Sequence, residues 1–194
     1  KSGNEFPVQI QVHPNMDKNE WSSSSLLKLK SANKPFPINN DVGVVKWRAT
    51  LPDEGTLPLV LNVWPQEAPD GCQVNIEYTL QRENMTLNDV VVIVPLPTST
   101  VPVVSEAEGT WEYIKSRNHI VWSIGDIDAS NGSGTLEFVT PNGAADHFFP
   151  VSISFTSATP LVDIKLEGVQ TMEGGEAVPF SSSTQFTVEK YDIV

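Results

Sequence analysis

Cysteine is almost absent: Cys72 is the only one in 194 residues, so no disulfide can form within the chain. That points to a reducing, cytosolic setting and leaves Cys72 to be read as a small buried hydrophobe. Basic residues are scarce as well. Twelve Lys and Arg face twenty-four Asp and Glu, a formal net charge of −12, and a body so acidic is repelled by polyphosphate. Nucleic acid is therefore set aside as a partner. No apolar run approaches the length that crosses a bilayer, and the opening KSGNEF lacks the shape of a signal peptide, so a soluble chain is expected. Histidine is rare: His13, His119 and His147 lie far apart, without metal-ligand spacing to cysteine or carboxylates. There is no Gly-rich phosphate loop and no G-x-S-x-G elbow. Asp126 and Asp128 in GDIDAS make half a cation loop without the acidic residues that complete a calcium site. The chain is read as a non-enzyme, with no catalytic residue, metal or cofactor assigned.

Fifteen prolines, twelve glycines and many Ser/Thr/Asn clusters break the chain at short intervals. Between the breaks apolar residues recur with a period of two, the mark of strands with one buried face. Phe149, Val151, Ile153 and Phe155 alternate with Ser152, Ser154 and Thr156. Val74, Ile76, Tyr78 and Leu80 share one face, as do Leu57, Leu59, Leu61 and Val63, and Val162, Ile164 and Leu166. The run Val90–Pro97 is apolar on both faces, which predicts a central strand ended by its prolines. Further strands are expected at 8–13, 26–30, 43–50, 110–115, 119–124, 134–140 and 184–192, with a short hairpin at Ser116–Asn118. Turn chemistry falls at Pro52–Gly55, Pro69–Gly71, Asn131–Gly132 and Glu173–Gly175. No helical period survives, and Ser22–Ser25 reads as a polar connector. The expectation is an all-β protein of about twelve strands at the spacing of β-sandwiches.

The stretch GVVKWRA places Val45, Trp47 and Ala49 on one face and Val44, Lys46 and Arg48 on the other. Trp47 is thus expected in the core and the two cations in solvent, forming a small basic shelf with Lys28, Lys30 and Lys34 that suits an acidic peptide. Of the other tryptophans, Trp122 shares a face with Ile120 and Ile124, while Trp21, Trp64 and Trp111 are candidates for partial exposure at edges.

Taken in order, HPNMDK (13–18), FPINNDVGVVKWR (36–48), LPLVLNVWP (57–65), GCQVNIEYTL (71–80), LNDVVVIVPLP (87–97), SGTLEF (133–138), HFFPVSISF (147–155) and VEKYDIV (188–194) resemble the C-terminal μ-homology domain of coatomer delta subunits, within the adaptor medium-chain family. The series covers nearly the whole chain. It implies an elongated all-β domain of two β-sandwich subdomains, the second inserted into the first: subdomain A at 1–56 and 149–194, subdomain B at 57–148. The family's domain normally begins some strands upstream, so the resemblance also implies a strand edge left open in subdomain A. Related adaptor medium chains bind tyrosine-based signals partly through a Trp-x-Arg pair on a late strand, and SSSTQFTVEKYDIV (181–194) has no such pair. The delta subunits are instead associated with tryptophan-based motifs in acidic, disordered segments of ER tethering factors and Arf GTPase-activating proteins. The implied setting is a cytoplasmic vesicle coat, peripheral on Golgi membranes, with other coatomer subunits as partners. Indoles of the ligand would enter apolar pockets while acidic flanks meet basic side chains. The expected peptide-binding residues are Lys28, Lys30, Lys46 and Arg48.

Two other readings stay in view. Five tryptophans and the sequons at Asn84 and Asn131 fit a secreted carbohydrate-binding β-sandwich. An enzyme would need His119 or His147 to converge with Asp126 or Asp128 in a cleft.

Overall fold

The computed structural model describes residues 7–51, 54–97, 100–162 and 164–194. The chain forms two compact units, Lys1–Pro52 with Val162–Ser183 and Asp53–Leu161 with Thr184–Val194. The expected turn at Pro52–Gly55 lies partly outside the described residues.

Unit 1 holds one antiparallel ribbon, β1 (Val8–Val12) against β2 (Val45–Ala49), and a short helix, α1 (Lys18–Ser24). The helix was not anticipated. Asp17 begins it by accepting the Asn19 and Glu20 amides on its carboxylate (2.9 and 3.3 Å), which satisfies donors the first turn leaves orphaned. The serines that read as a connector instead donate their hydroxyls back up the helix, Ser22 to the Lys18 carbonyl and Ser24 to that of Glu20. Ser25, at φ 58°, ends it. Residues 26–30, expected as a strand, form only one bridge, Leu29 with Met16. The alternation in VDIKLEGV likewise produces no strand among its described residues. Val162 is buried, but Ile164 and Leu166 are exposed, because no neighbouring strand pairs with them to close a face. The Glu173–Gly175 turn does form, closed by the Thr171 amide on the Glu176 carbonyl and the Val178 amide on that of Val169.

Unit 2 is a two-sheet sandwich. Its strands are β3 (Leu59–Ala68), β4 (Gly71–Leu80), β5 (Leu87–Pro95), β6 (Val103–Ala107), β7 (Thr110–Ile114), β8 (His119–Ile127), β9 (Ser133–Thr140), β10 (Val151–Ser157) and β11 (Phe186–Ile193). One sheet has the order β3-β4-β9-β6 and the other β11-β10-β5-β8-β7. The apolar doublet strand β5 is central, as its sequence predicts, with Val90, Val92 and Val94 fully buried. The inward sets of β4 and β10 are those read from alternation. They meet Leu136, Phe138, Ile120 and Trp122 in one continuous core. β6 was missed; its valines and Glu106 give no alternation, and its pairing with β9 carries a bulge. β10 and β11, which the resemblance assigns to subdomain A, pair with each other, and β10 pairs with β5, in this sheet.

The β3–β4 hairpin turns at Pro69-Asp70-Gly71, where Gly71 adopts φ 146° and a Cβ would strike the Thr140 carbonyl on β9. Only glycine fits there without strain. The β7–β8 hairpin turns at Lys115–Asn118, as the Ser116–Asn118 step predicts.

Candidate functional site

Trp47 is not a core residue. It stands opposite Ile10 across the β1–β2 ribbon, and the two are 43% and 40% exposed. Alternation placed it on the correct side, but among the described residues the ribbon has two strands and unit 1 has no second sheet to cover that face. Lys46 and Arg48 stand opposite Gln11 and Gln9 on the reverse face, both exposed.

Beside the ribbon, unit 1 carries a groove of about 330 Å³, within the range of small ligand sites. Ile10, Val12, Pro14 and Trp21 give it apolar walls, and Lys18 and Lys30 stand in its lining. α1 positions Trp21 and Lys18 one turn apart. The segment carrying Lys30 is sewn to the turn before the helix: the Lys30 amide donates to the Asn15 carbonyl and the Asp17 amide to that of Lys28. His13 holds the same turn by accepting the Asn15 amide on Nδ1 and packing edge-on against Phe36 at 5.0 Å.

The four expected cations therefore divide. Lys30 lines the groove; Lys28 pairs with Glu20 at 3.9 Å with both side chains largely in water, a contact worth about 0–1 kcal/mol. Lys46 and Arg48, on the ribbon face opposite Trp47, are not among the residues lining the groove. Sequence reasoning missed Lys18, Ile10 and Pro14 as lining residues and saw Trp21 only as an edge aromatic. One signal was available: Asp17 with Glu20 three residues on has the spacing of a helix start.

A second groove, about 440 Å³, lies on the five-stranded sheet of unit 2, with Ile93, Pro95 and Pro150 as apolar lining and Arg117, His119 and Lys190 as bases. Lys190 is partly neutralised by Asp192 at 2.9 Å. The Asp192 carboxyl is held below the usual carboxylate range, first by the Ser152 hydroxyl and then by Lys190. Cys72 is buried and its thiol is pushed up, chiefly by burial and next by Glu67.

The residues of the enzymatic reading make local structural contacts. Asp126 accepts the Asp89 amide. Asp128 accepts the Ser130 amide and hydroxyl, which lower its pKa. His119 opens β8 and Asp126 sits seven residues along it, so at about 3.3 Å per residue they are roughly 20 Å apart. His147 accepts the Ala144 amide on Nδ1. Among the described residues no three His, Cys, Asp or Glu side chains are arranged to hold a metal ion. The carbohydrate reading fares no better on its aromatics. Trp64 lies on the outer face of one sheet, whereas Trp111 pairs with the buried Trp122 at the edge of the other. Asn131 spends its side-chain amide on the Asp126 carbonyl at 2.8 Å. No helix among the described residues is long and apolar enough to cross a membrane.

The sheets are those of a μ-homology domain. The chain matches the yeast delta-COP-I μ-homology domain with a TM-score of 0.74 at 25% identity, covering 94% of this chain and 74% of that one. The same yeast domain solved in complex with a Dsl1 WxWxV peptide matches with a TM-score of 0.73 at 23% identity, over 97% and 77%. The chain belongs to the adaptor complexes medium subunit family, which matches residues 6–193. Within that family it is similar to coatomer delta subunits: 54% identical over 193 residues to the probable coatomer subunit delta of Caenorhabditis elegans, and 35% over 189 to coatomer subunit delta-1 of Oryza sativa subsp. japonica. It spans 37% and 36% of those two proteins' lengths.

Proposed function

We propose that the chain is a non-catalytic interaction domain of a coatomer-type vesicle coat. It docks tryptophan-based motifs from acidic, disordered segments of ER tethering factors and Arf GTPase-activating proteins, during Golgi-to-ER and intra-Golgi transport. The coat would bring it to Golgi membranes and vesicles from the cytoplasm as a peripheral component, beside other coatomer subunits. The observation that carries this reading is the unit 1 groove, in which apolar walls able to take an indole meet two lysines able to take acidic flanks. The yeast domain's WxWxV complex supports the same ligand class. Affinity is modest, because a disordered ligand loses entropy when it is ordered.

On this proposal Lys30, with Lys18, meets the ligand's carboxylates directly, while Lys28, Lys46 and Arg48 add positive potential from farther off. Lys18→Glu/Lys30→Glu should weaken an acidic tryptophan peptide roughly tenfold or more, and Lys46→Glu/Arg48→Glu by no more than about threefold and mainly at low salt. Fluorescence anisotropy at two ionic strengths measures both. Unchanged affinity in the first variant moves the site out of this groove.

A further inference from the structure

Charge is divided between the two units in a way the overall composition hides. Unit 1 carries eight acidic and eight basic side chains, whereas unit 2 carries sixteen acidic and four basic, so the whole net charge of −12 belongs to unit 2. Three of those four bases, Lys115, Arg117 and Lys190, sit on the β7–β8 hairpin or β11, in the five-stranded sheet. The strands of the four-stranded sheet contain no Lys, Arg or His, but four glutamates: Glu67, Glu77, Glu106 and Glu137.

The register shows how these residues stand on the sheet's outer face. Trp64, Asn75, Glu137 and Glu106 form one row across all four strands, and Gln66, Gln73, Val139 and Val103 form the next. Trp64 is 46% exposed, Val139 44% and Val103 69%. Glu106 faces Glu137 directly, a like-charge pairing that opposes sheet stability. No salt bridge reaches either carboxylate from the described residues. The Glu137 carboxylate accepts a hydrogen bond from Asn75 Nδ2 at 3.1 Å, while Asn75 Oδ1 accepts none. Glu108 adds a further carboxylate at the same sheet, accepting the Thr135 amide on β9 at 2.8 Å.

We propose that this outer face is a docking surface for an extended basic segment of a partner protein. Its Lys or Arg side chains would meet Glu77, Glu106 and Glu137, and its apolar atoms or guanidinium planes would lie on Trp64, Val139 and Val103. Charge complementarity selects the occupant. Carboxylates without an ion pair among the described residues, on strands that carry no base, repel acidic peptides and anionic headgroups alike and attract a cation of any kind. The exposed indole and valines distinguish a peptide from a bare ion, since an arginine can stack on an indole while its stem covers apolar surface. The four strands span roughly 14 Å at 4.8 Å spacing, so one chain crossing them reaches the indole and both facing glutamates. The surface shares no residue with the unit 1 groove, so its failure would leave the tryptophan-motif reading untouched.

The test uses the full chain and a synthetic peptide in which arginine alternates with valine and threonine, followed by amide NMR and by anisotropy. The expected result is a set of shifts confined to the Trp64 indole and to β3, β4, β9 and β6. Affinity should fall roughly tenfold in Trp64→Ala and in Glu106→Gln/Glu137→Gln, and weaken with salt. A Glu83→Gln/Glu112→Gln control, elsewhere on unit 2, should bind as the parent does. Neutralising Glu106 and Glu137 relieves their repulsion, so that variant should melt no lower than the parent, which separates lost binding from lost fold. The proposal is overturned by equal binding in all variants, by shifts spread over the five-stranded sheet, by equal binding of the peptide with glutamate in place of arginine, or by calcium chloride alone producing the same shifts.

Discussion

Trp122→Ala should remove about 3–5 kcal/mol from the unfolding free energy of unit 2. The indole is fully buried at the centre of the sandwich, tilted against Tyr78 at a centroid distance of 5.8 Å, and its N–H donates to the Glu108 carbonyl. Truncation leaves a cavity between the sheets and a carbonyl without its donor, two costs that add. Against the 5–15 kcal/mol typical of a folded domain, a loss of about that size is a large share. The melting midpoint should fall by roughly ten degrees or more. Urea unfolding measures it, with an unchanged slope marking a true stability loss. A loss below about 1 kcal/mol would mean that the two sheets do not share this core. Trp64→Ala should itself fall below that limit, since its indole is nearly half in water.

The second large effect belongs to binding. Trp21→Ala should weaken a tryptophan-motif peptide by about 2 kcal/mol or more, roughly thirtyfold, as truncated aromatic anchors commonly do. Trp21 is the largest apolar side chain in the unit 1 groove, and nothing else in α1 replaces its area. Alanine is a better helix former than tryptophan, so α1 itself should persist. Anisotropy with far-UV circular dichroism separates the two. Full affinity in a folded Trp21→Ala protein would take the indole pocket away from this groove.

Most of unit 2 was legible because a sandwich writes itself into sequence. Each inner face needs apolar residues at every second position, so the strands at 71–80, 87–95, 119–127 and 151–157 announce themselves and their turns. Unit 1 was less legible, for two physical reasons. Alternation specifies a face but not a partner: Ile164, Leu166 and Trp47 obey the pattern and remain exposed because no strand or sheet closes over them. α1, at seven residues, is too short for a helical period, so only its Asp17 start could betray it. The candidate groove suffered most, since its walls come from β1, the turn after it, α1 and the stretch following. Lys30 stood out as a cation on an acidic chain, whereas Ile10 and Lys18 carry no local signature. The concentration of negative charge in unit 2 likewise has no local signature, because that unit joins residues 53–161 to the distant stretch 184–194.

On the proposed function, a folded β surface captures indole-bearing tails. Isothermal titration of the full chain with an acidic peptide carrying two tryptophans, and with the same peptide carrying alanine at both positions, tests that most directly. The predicted result is saturable one-to-one binding of the first, with a negative heat-capacity change from apolar burial, and no measurable heat from the second. Equal binding of both peptides, or of neither, would contradict it.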